Sequence, residues 1–359
     1  MLTEKLVLTI EKGIFMLPRE RVLKAMNFQQ PDTIPLQIFP APSGIYEHGQ
    51  KLVDLIKACG HDFGDLNWVT LPEPPRPDDF DPDGSYHAFR TDEWGTRWEY
   101  RIYGIWGHPV EWPLNDLSKL DSYKAPSTPP SSGPEFESAK ASAEIHKQQY
   151  FLMGGGGALF ETLRWIRRFE YILMDIEDDT PEINRIADIV MVYDEGHITR
   201  SLALDVDAVA FGDDLGTQNA LMISPETFRR FFKPRYKVLF DPIVKAGKHI
   251  IFHSCGQISS VLDDLREIGV DSIWPQLPLY DLRELKNRCR DLGISVQLHP
   301  DRGDLMHRSK PQQVRDYVYK LIDTFDTANG GSWLYIEIDP GFPFLNVETL
   351  FETVMELRK

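Results

Sequence analysis

Two residues of this 359-residue chain, His253 and Cys255 in the segment His253-Ser254-Cys255-Gly256, bring an imidazole and a sulfur within one residue of each other. They follow His249-Ile250-Ile251-Phe252, an apolar run that predicts a buried strand. Residues two apart on a strand project to the same side. An imidazole nitrogen and a sulfur therefore converge at the strand end, which suits a borderline cation such as zinc. Such a cation needs at least a third protein ligand, and the sequence must bring that ligand from elsewhere.

The elements that would deliver it recur along the chain. Strands are expected at 33–39, 66–69, 150–153, 208–211, 250–253, 272–274, 294–298 and 333–338. Helical patterns separate several of them. One runs from Pro225 to about Ala246, opened by Ser224 as a cap and stopped by Gly247. Others run over 258–268, 281–291 and 311–325, the first two ending at Gly269 and Gly293. Short apolar strands alternating with helices predict a parallel α/β architecture, and eight strands would close a (β/α)8 TIM barrel. The whole of 1–359 is read as a single barrel domain with an insert at about 85–134. Within it, Thr91 to Trp112 holds Trp94, Trp98, Tyr100, Tyr103, Trp106 and Trp112, with Gly95 and Gly104 as turn points, and predicts a β-meander.

Composition narrows the function classes. The apolar fraction of 42% fits a substantial core, and 39 Lys+Arg against 55 Asp+Glu give a net charge of −16. That balance argues against nucleic acid as a partner. No apolar run reaches membrane-spanning length, and the N-terminus does not read as a signal peptide; Met1 to Ile14 reads as a short charged helix. Three cysteines, Cys59, Cys255 and Cys289, are too few and odd in number for a disulfide framework, so a reducing cytoplasm is expected, with Cys59 and Cys289 in structural roles.

The chain resembles the uroporphyrinogen decarboxylase superfamily, which includes the decarboxylase and corrinoid-dependent methyltransferases. The resemblance lies in Arg19-Glu20-Arg21-Val22-Leu23-Lys24-Ala25-Met26, Asp92-Glu93-Trp94-Gly95, and Gly212-Asp213-Asp214-Leu215-Gly216. It continues through Ile223-Ser224-Pro225-Glu226 and the His253-Ser254-Cys255-Gly256 segment. It implies a barrel and, as a common state of the superfamily, a homodimer. The decarboxylase grips its substrate's carboxylates with an arginine-rich loop after the first strand. Here that loop, Phe39 to Tyr46, contains no arginine, which argues against a porphyrinogen substrate. In the thiol-methylating members a cysteine on the last strand joins the His-x-Cys pair. This chain has Tyr335-Ile336-Glu337-Ile338-Asp339 there, so the resemblance makes Glu337 the expected third metal ligand, with Asp339 second in line.

Barrel enzymes gather reactive groups at the C-terminal ends of their strands. Those ends carry Asp213 and Asp214, His253 and Cys255, Trp274 and Gln276, His299 and Asp301, and Glu337 and Asp339. Neighbours on an extended chain point to opposite sides, so one of Asp213 and Asp214 is expected to face the pocket. Asp214 is read as orienting the substrate or relaying a proton, and Glu337 shares the catalytic role. Trp106, Gln218, Trp274, Gln276 and His299 are the expected substrate-binding residues, with Trp68 as a further wall for a planar ring. The run Gly154 to Gly157 lacks phosphate-loop spacing and reads as close backbone approach to a bulky ligand or as a tight turn.

A site of one imidazole, one thiolate and one carboxylate is harder than a two-thiolate site. It favours an oxygen ligand, hence demethylation of a methyl ether rather than methylation of a thiol. The expected function is transfer of a methyl group from a methoxylated, aromatic compound to a corrinoid carried by a partner protein, with zinc at the site. Methyl transfer to a thiol or tetrahydrofolate, and metal-free decarboxylation of a small acid, are the rival activities. A non-enzymatic corrinoid-binding module is disfavoured, because the chain has no Asp-x-His-x-x-Gly motif.

Overall fold

The computed structural model describes residues 16–359; the helix expected over Met1 to Ile14 lies outside them. Among the described residues, ten strands form two sheets. They are β1 (Leu36–Phe39), β2 (Ala88–Thr91), β3 (Arg97–Tyr100), β4 (His108–Glu111), β5 (Met153–Gly157), β6 (Ala208–Gly212), β7 (His249–Ser254), β8 (Ser272–Pro275), β9 (Ser295–Leu298) and β10 (Ser332–Glu337). Seven make one curled parallel sheet in the order β1-β10-β9-β8-β7-β6-β5, and β2-β3-β4 make a separate antiparallel meander.

The architecture is barrel-like, but the expected eighth strand at Leu66–Val69 does not form. Asp62 spans its place. Its N–H donates to Leu36 O (2.9 Å), its carbonyl accepts from Phe151 N (3.2 Å), and so it bridges the two edges of the sheet. The Asp62 carboxylate is buried and held by Arg21 (2.5 Å) and Arg358 (2.8 Å). Side-chain ion pairs here replace the ladder that a regular strand would supply.

Period-two alternation divides each strand between two cores. Ile250 and Phe252 pack outward among the surrounding helices. Ile251, Ala208, Phe151 and Trp333 face inward and meet Val22 and Met26 of the helix Pro18–Met26. That helix plugs the N-terminal end of the sheet, with Ala25 O accepting from Gly331 N at 2.6 Å. The interior is thereby filled from below, and polar inward-facing residues are left for the upper end.

The expected helix over 225–246 is broken. Ser224 caps a short turn through its Oγ (Thr227 N, 3.0 Å), a π-type turn follows at Phe228–Phe232, and Lys233–Lys245 then continues. Pro234 has no N–H to continue the earlier ladder, and the extra residue of the π turn absorbs the mismatch. The glycine run is itself strand β5. An added Cβ would lie 2.5 Å from Ser201 Oγ at Gly154, 2.3 Å from the Phe211 ring at Gly156 and 2.0 Å from Asp194 Oδ1 at Gly157. It lets the 23-residue helix Pro181–Ala203 press against the sheet, and so serves packing at these positions.

Candidate functional site

Inward alternation along β7 places His253 at the upper end of the barrel. In parallel register it lies opposite Trp274 on β8. His253 Nδ1 is 2.8 Å from the Trp274 carbonyl oxygen. A carbonyl only accepts, so Nδ1 carries the hydrogen and the lone pair of a neutral ring resides on Nε2. Nε2 lies 3.6 Å from Cys255 Sγ and 3.4 Å from Asp214 Oδ1. The three donor atoms of Asp214, His253 and Cys255 all fall within 4.8 Å of one another.

Backbone contact fixes this convergence. The turn carrying Asp214 and the turn carrying Cys255 meet at Gly216 and Gly256. Gly256 has φ +80°, and a Cβ there would come within 2.1 Å of the Gly216 carbonyl. Only glycine permits that approach. Cys255 N donates to Asp214 Oδ1 (2.8 Å), Leu215 N to Ser254 Oγ (3.0 Å) and Gly256 N to Gln276 Oε1 (3.1 Å). Gln276, expected to bind substrate, thus braces the cysteine turn.

Electrostatics favours a cation among these groups. Burial raises the Asp214 carboxyl, but the neighbouring His253 ring and the hydrogen bond from the Cys255 amide outweigh it and bring it down to about 2. Burial, with the Asp214 charge beside it, pushes the Cys255 thiol up to about 12. A bound divalent cation reverses the second effect, because a coordinating thiol loses its proton outright. A sulfur, an imidazole nitrogen and a carboxylate oxygen fit zinc, and the Nδ1 hydrogen bond supplies the outer support that zinc-binding histidines use.

Glu337 does not converge with the His253 and Cys255 donors, contrary to the expectation for the last strand. It accepts from Tyr335 Oη (3.1 Å) and pairs with Arg302, whose Nε also reaches Asp339 Oδ2 at 3.3 Å. Two inward carboxylates at one strand end are mutually repulsive, and the Arg302 guanidinium neutralises them. Glu337 is thereby committed to Arg302, and among the described residues the converging donors are Asp214, His253 and Cys255. The other half of the Asp213-Asp214 pair turns the opposite way, as alternation requires. Asp213 is fully buried, accepting from Glu161 N (2.8 Å) and Tyr236 Oη (2.6 Å). Burial raises its carboxyl to about 6. His299 is also buried, with each ring nitrogen 2.9 Å from a carbonyl oxygen, of Pro275 and of Pro300. It offers no free nitrogen to a ligand, and burial lowers its pKa.

Two cavities meet at His253. One, of about 500 Å³, lies over β7–β10 and is bordered by Gln218, Cys255, Trp274, Gln276, His299 and Arg302. Trp274 stands between the His253 ring (4.1 Å between centroids) and the Tyr335 ring (4.2 Å). The other, of about 720 Å³, opens between the meander and the helix Leu159–Ile166 and also reaches Asp214. Its walls are Trp98, Trp106, Trp112 and Trp165. Trp106 and Trp165 stack at 5.5 Å and 20°, and Trp98 meets Trp165 edge-on at 5.6 Å. Trp106 lines this cavity, whereas Trp68 is 68% exposed and borders neither. Sequence reasoning missed Glu161, Arg164 and Trp165 on this wall. The available signal was helical spacing in Leu159–Ile166, whose i, i+3 and i+4 positions put all three on one face. Burial raises the Glu161 carboxyl to about 7.

A family model described as uroporphyrinogen decarboxylase matches residues 107–357. The chain belongs to that family. Among solved structures, a methyltransferase from Methanosarcina mazei aligns over 96% of this chain and 100% of its own, with 13% identity and a TM-score of 0.63. A dihydropteroate synthase from Xanthomonas albilineans covers 55% of this chain and 64% of its own, with 15% identity and a TM-score of 0.35. No curated protein matches the sequence. No helix among the described residues is long and apolar enough to cross a membrane.

Proposed function

We propose that this chain is a methyltransferase that takes a methyl group from a methoxylated aromatic compound and passes it to a corrinoid presented by a partner protein. The observation that carries the reading is the meeting of Asp214 Oδ1, His253 Nε2 and Cys255 Sγ at the junction of two cavities. The full-length similarity to a structure named as a methyltransferase supports it. Asp214, His253 and Cys255 would hold zinc, which would supply a Lewis acid for an ether oxygen, and a reduced corrinoid would supply a nucleophile stronger than any protein side chain.

The chain's own residues bind and orient. Trp98, Trp106 and Trp165 offer flat apolar faces to an aromatic ring and exclude water from it. The Trp274 carbonyl keeps the His253 Nε2 lone pair turned inward. A carboxylate in place of a second cysteine leaves the site with one thiolate, which favours an oxygen ligand over a thiol. The cavity over β7–β10 is the open approach for the acceptor. The arginine-free segment Phe39–Tyr46 and the pairing of Arg302 with Glu337 and Asp339 leave poor provision for a poly-acidic substrate. Three free cysteines suit a cytoplasmic setting.

The test is methyl transfer from methoxybenzene derivatives to a reduced corrinoid protein, followed by the corrinoid absorbance. Loss on chelation and recovery with zinc are expected. Methyl transfer that survives exhaustive chelation removes zinc from the reading; no methyl transfer at all, with carbon dioxide released from a small acid by chelated protein, refutes the reading and favours decarboxylase-type chemistry. A second sulfur at the zinc on adding a thiol, read by X-ray absorption, would instead assign a thiol acceptor.

A further inference from the structure

We propose that Glu161 determines donor specificity by accepting a hydrogen bond from an O–H or N–H group on the aromatic ring held in the tryptophan-lined cavity. This deepens the proposed function and rests on reading that cavity as the methyl-donor site. Glu161 borders the cavity and is 9% exposed. Its Oε2 accepts from Arg164 Nε at 3.0 Å, while its Oε1 is buried with no hydrogen-bond partner. A carboxylate has about four acceptor positions, and leaving a buried one unmet is costly.

The protein supports this side chain from behind. Asp213 accepts from the Glu161 amide at 2.8 Å, in the first turn of the helix Leu159–Ile166. The adjacent Asp214 belongs to the candidate cation site, so the Asp213-Asp214 pair couples that site to the carboxylate in the ring cavity. Trp165, four residues after Glu161, stacks on Trp106 and supplies a flat wall. A ring lying against that wall, with its ether oxygen toward Asp214 and His253, presents a neighbouring substituent to Glu161. A hydroxyl or amino group there fills the unmet acceptor; a methoxyl or a phenolate, having no hydrogen to donate, does not.

Quenching of tryptophan fluorescence measures binding without metal or corrinoid. Wild-type protein is titrated at about pH 8.5, where the Glu161 carboxyl, raised to about 7, is ionised and a phenol still carries its proton, with 2-methoxyphenol, 2-methoxyaniline and 1,2-dimethoxybenzene. The two donors are expected to bind roughly tenfold tighter than the dimethoxy compound, the usual strength of a hydrogen bond to a charged acceptor. In Glu161→Gln the amide oxygen serves Arg164 and the NH2 faces the ligand, which removes the acceptor the two donors use and can itself donate to a methoxyl oxygen, so the preference should fall to about twofold or less. Equal binding of the three compounds by wild type, or an intact preference in the variant, overturns the role of Glu161 while leaving the ring site standing. Failure of every compound to bind refutes both the role and the ring site. If the variant does not fold, the comparison of the three ligands on wild type decides.

Discussion

Replacing Asp214 by asparagine should strip the site of zinc, whereas replacing Glu337 by glutamine should not. Asp214 Oδ1 has two roles: it accepts from Cys255 N at 2.8 Å and stands 3.4 Å from His253 Nε2. Asparagine keeps an oxygen for the amide, so the turn survives, and removes the charge and the strong metal donor. Loss of an outer-shell partner alone costs 10- to 100-fold in metal affinity. Loss of a direct ligand should cost more, so a fall of at least about 100-fold is expected, near 3 kcal/mol. Glu337 is bound to Arg302 and Tyr335, so Glu337→Gln should shift affinity by no more than about threefold. Competition against a chromophoric chelator gives the affinities, and elemental analysis of purified protein gives occupancy. Zinc retained by Asp214→Asn and lost by Glu337→Gln would reverse the ligand assignment. Wild-type protein that takes up no zinc would remove the site altogether.

Three further outcomes follow from other parts of the structure. Gly256→Ala forces a Cβ to within 2.1 Å of the Gly216 carbonyl at φ +80°; it should cost at least about 2 kcal/mol of stability in denaturant titration and weaken zinc binding as the two turns part. Trp165→Leu removes the stack with Trp106 and should weaken ring-ligand binding about tenfold by calorimetry, with zinc content unchanged. Burial lowers His61 to about 4, and its Nδ1 accepts from Ile38 N at 3.1 Å. The folded pKa lies below the unfolded value near 6.5, so this stability is complete above pH 6.5 and is lost as pH falls toward 4. The loss amounts to about 3 kcal/mol, and denaturation midpoints at pH 7 and pH 4 should show a smaller drop in His61→Asn.

The repeating parts of the fold were legible because each obeys a local rule. Helix 282–292 begins at Asp281, whose carboxylate accepts from Arg283 N and Glu284 N, and ends at left-handed Gly293. Six of the parallel strands stood out as apolar runs; β5 did not, because the strand expected at 150–153 forms instead over the glycines of Met153–Gly157. The missing eighth strand was not legible in the same way. Leu66–Val69 has strand composition, but Leu66 and Val69 pack into the helical core, and the sheet edges are bridged by Asp62 through ion pairs with Arg21 and Arg358. These partners come from three distant parts of the chain. A local pattern carries no record of such a contact.

The candidate site divides along the same line. His253 and Cys255 were found because two-residue spacing on a strand is a geometric statement in itself. Strand-end logic put both Glu337 and Asp214 at the pocket, but the resemblance singled out Glu337 as the ligand, and Asp214 was read as orienting the substrate or relaying a proton. What separated them was Arg302, which draws Glu337 and Asp339 together, and the Gly216–Gly256 contact, which presses the Asp214 turn against the cysteine turn. Each is a competition between partners remote in sequence. A carboxylate beside an arginine is held by the arginine; a carboxylate facing a thiol and an imidazole lone pair has no cation of its own. The third donor proposed for the site is therefore the carboxylate whose charge the protein leaves without a cationic side chain, Asp214.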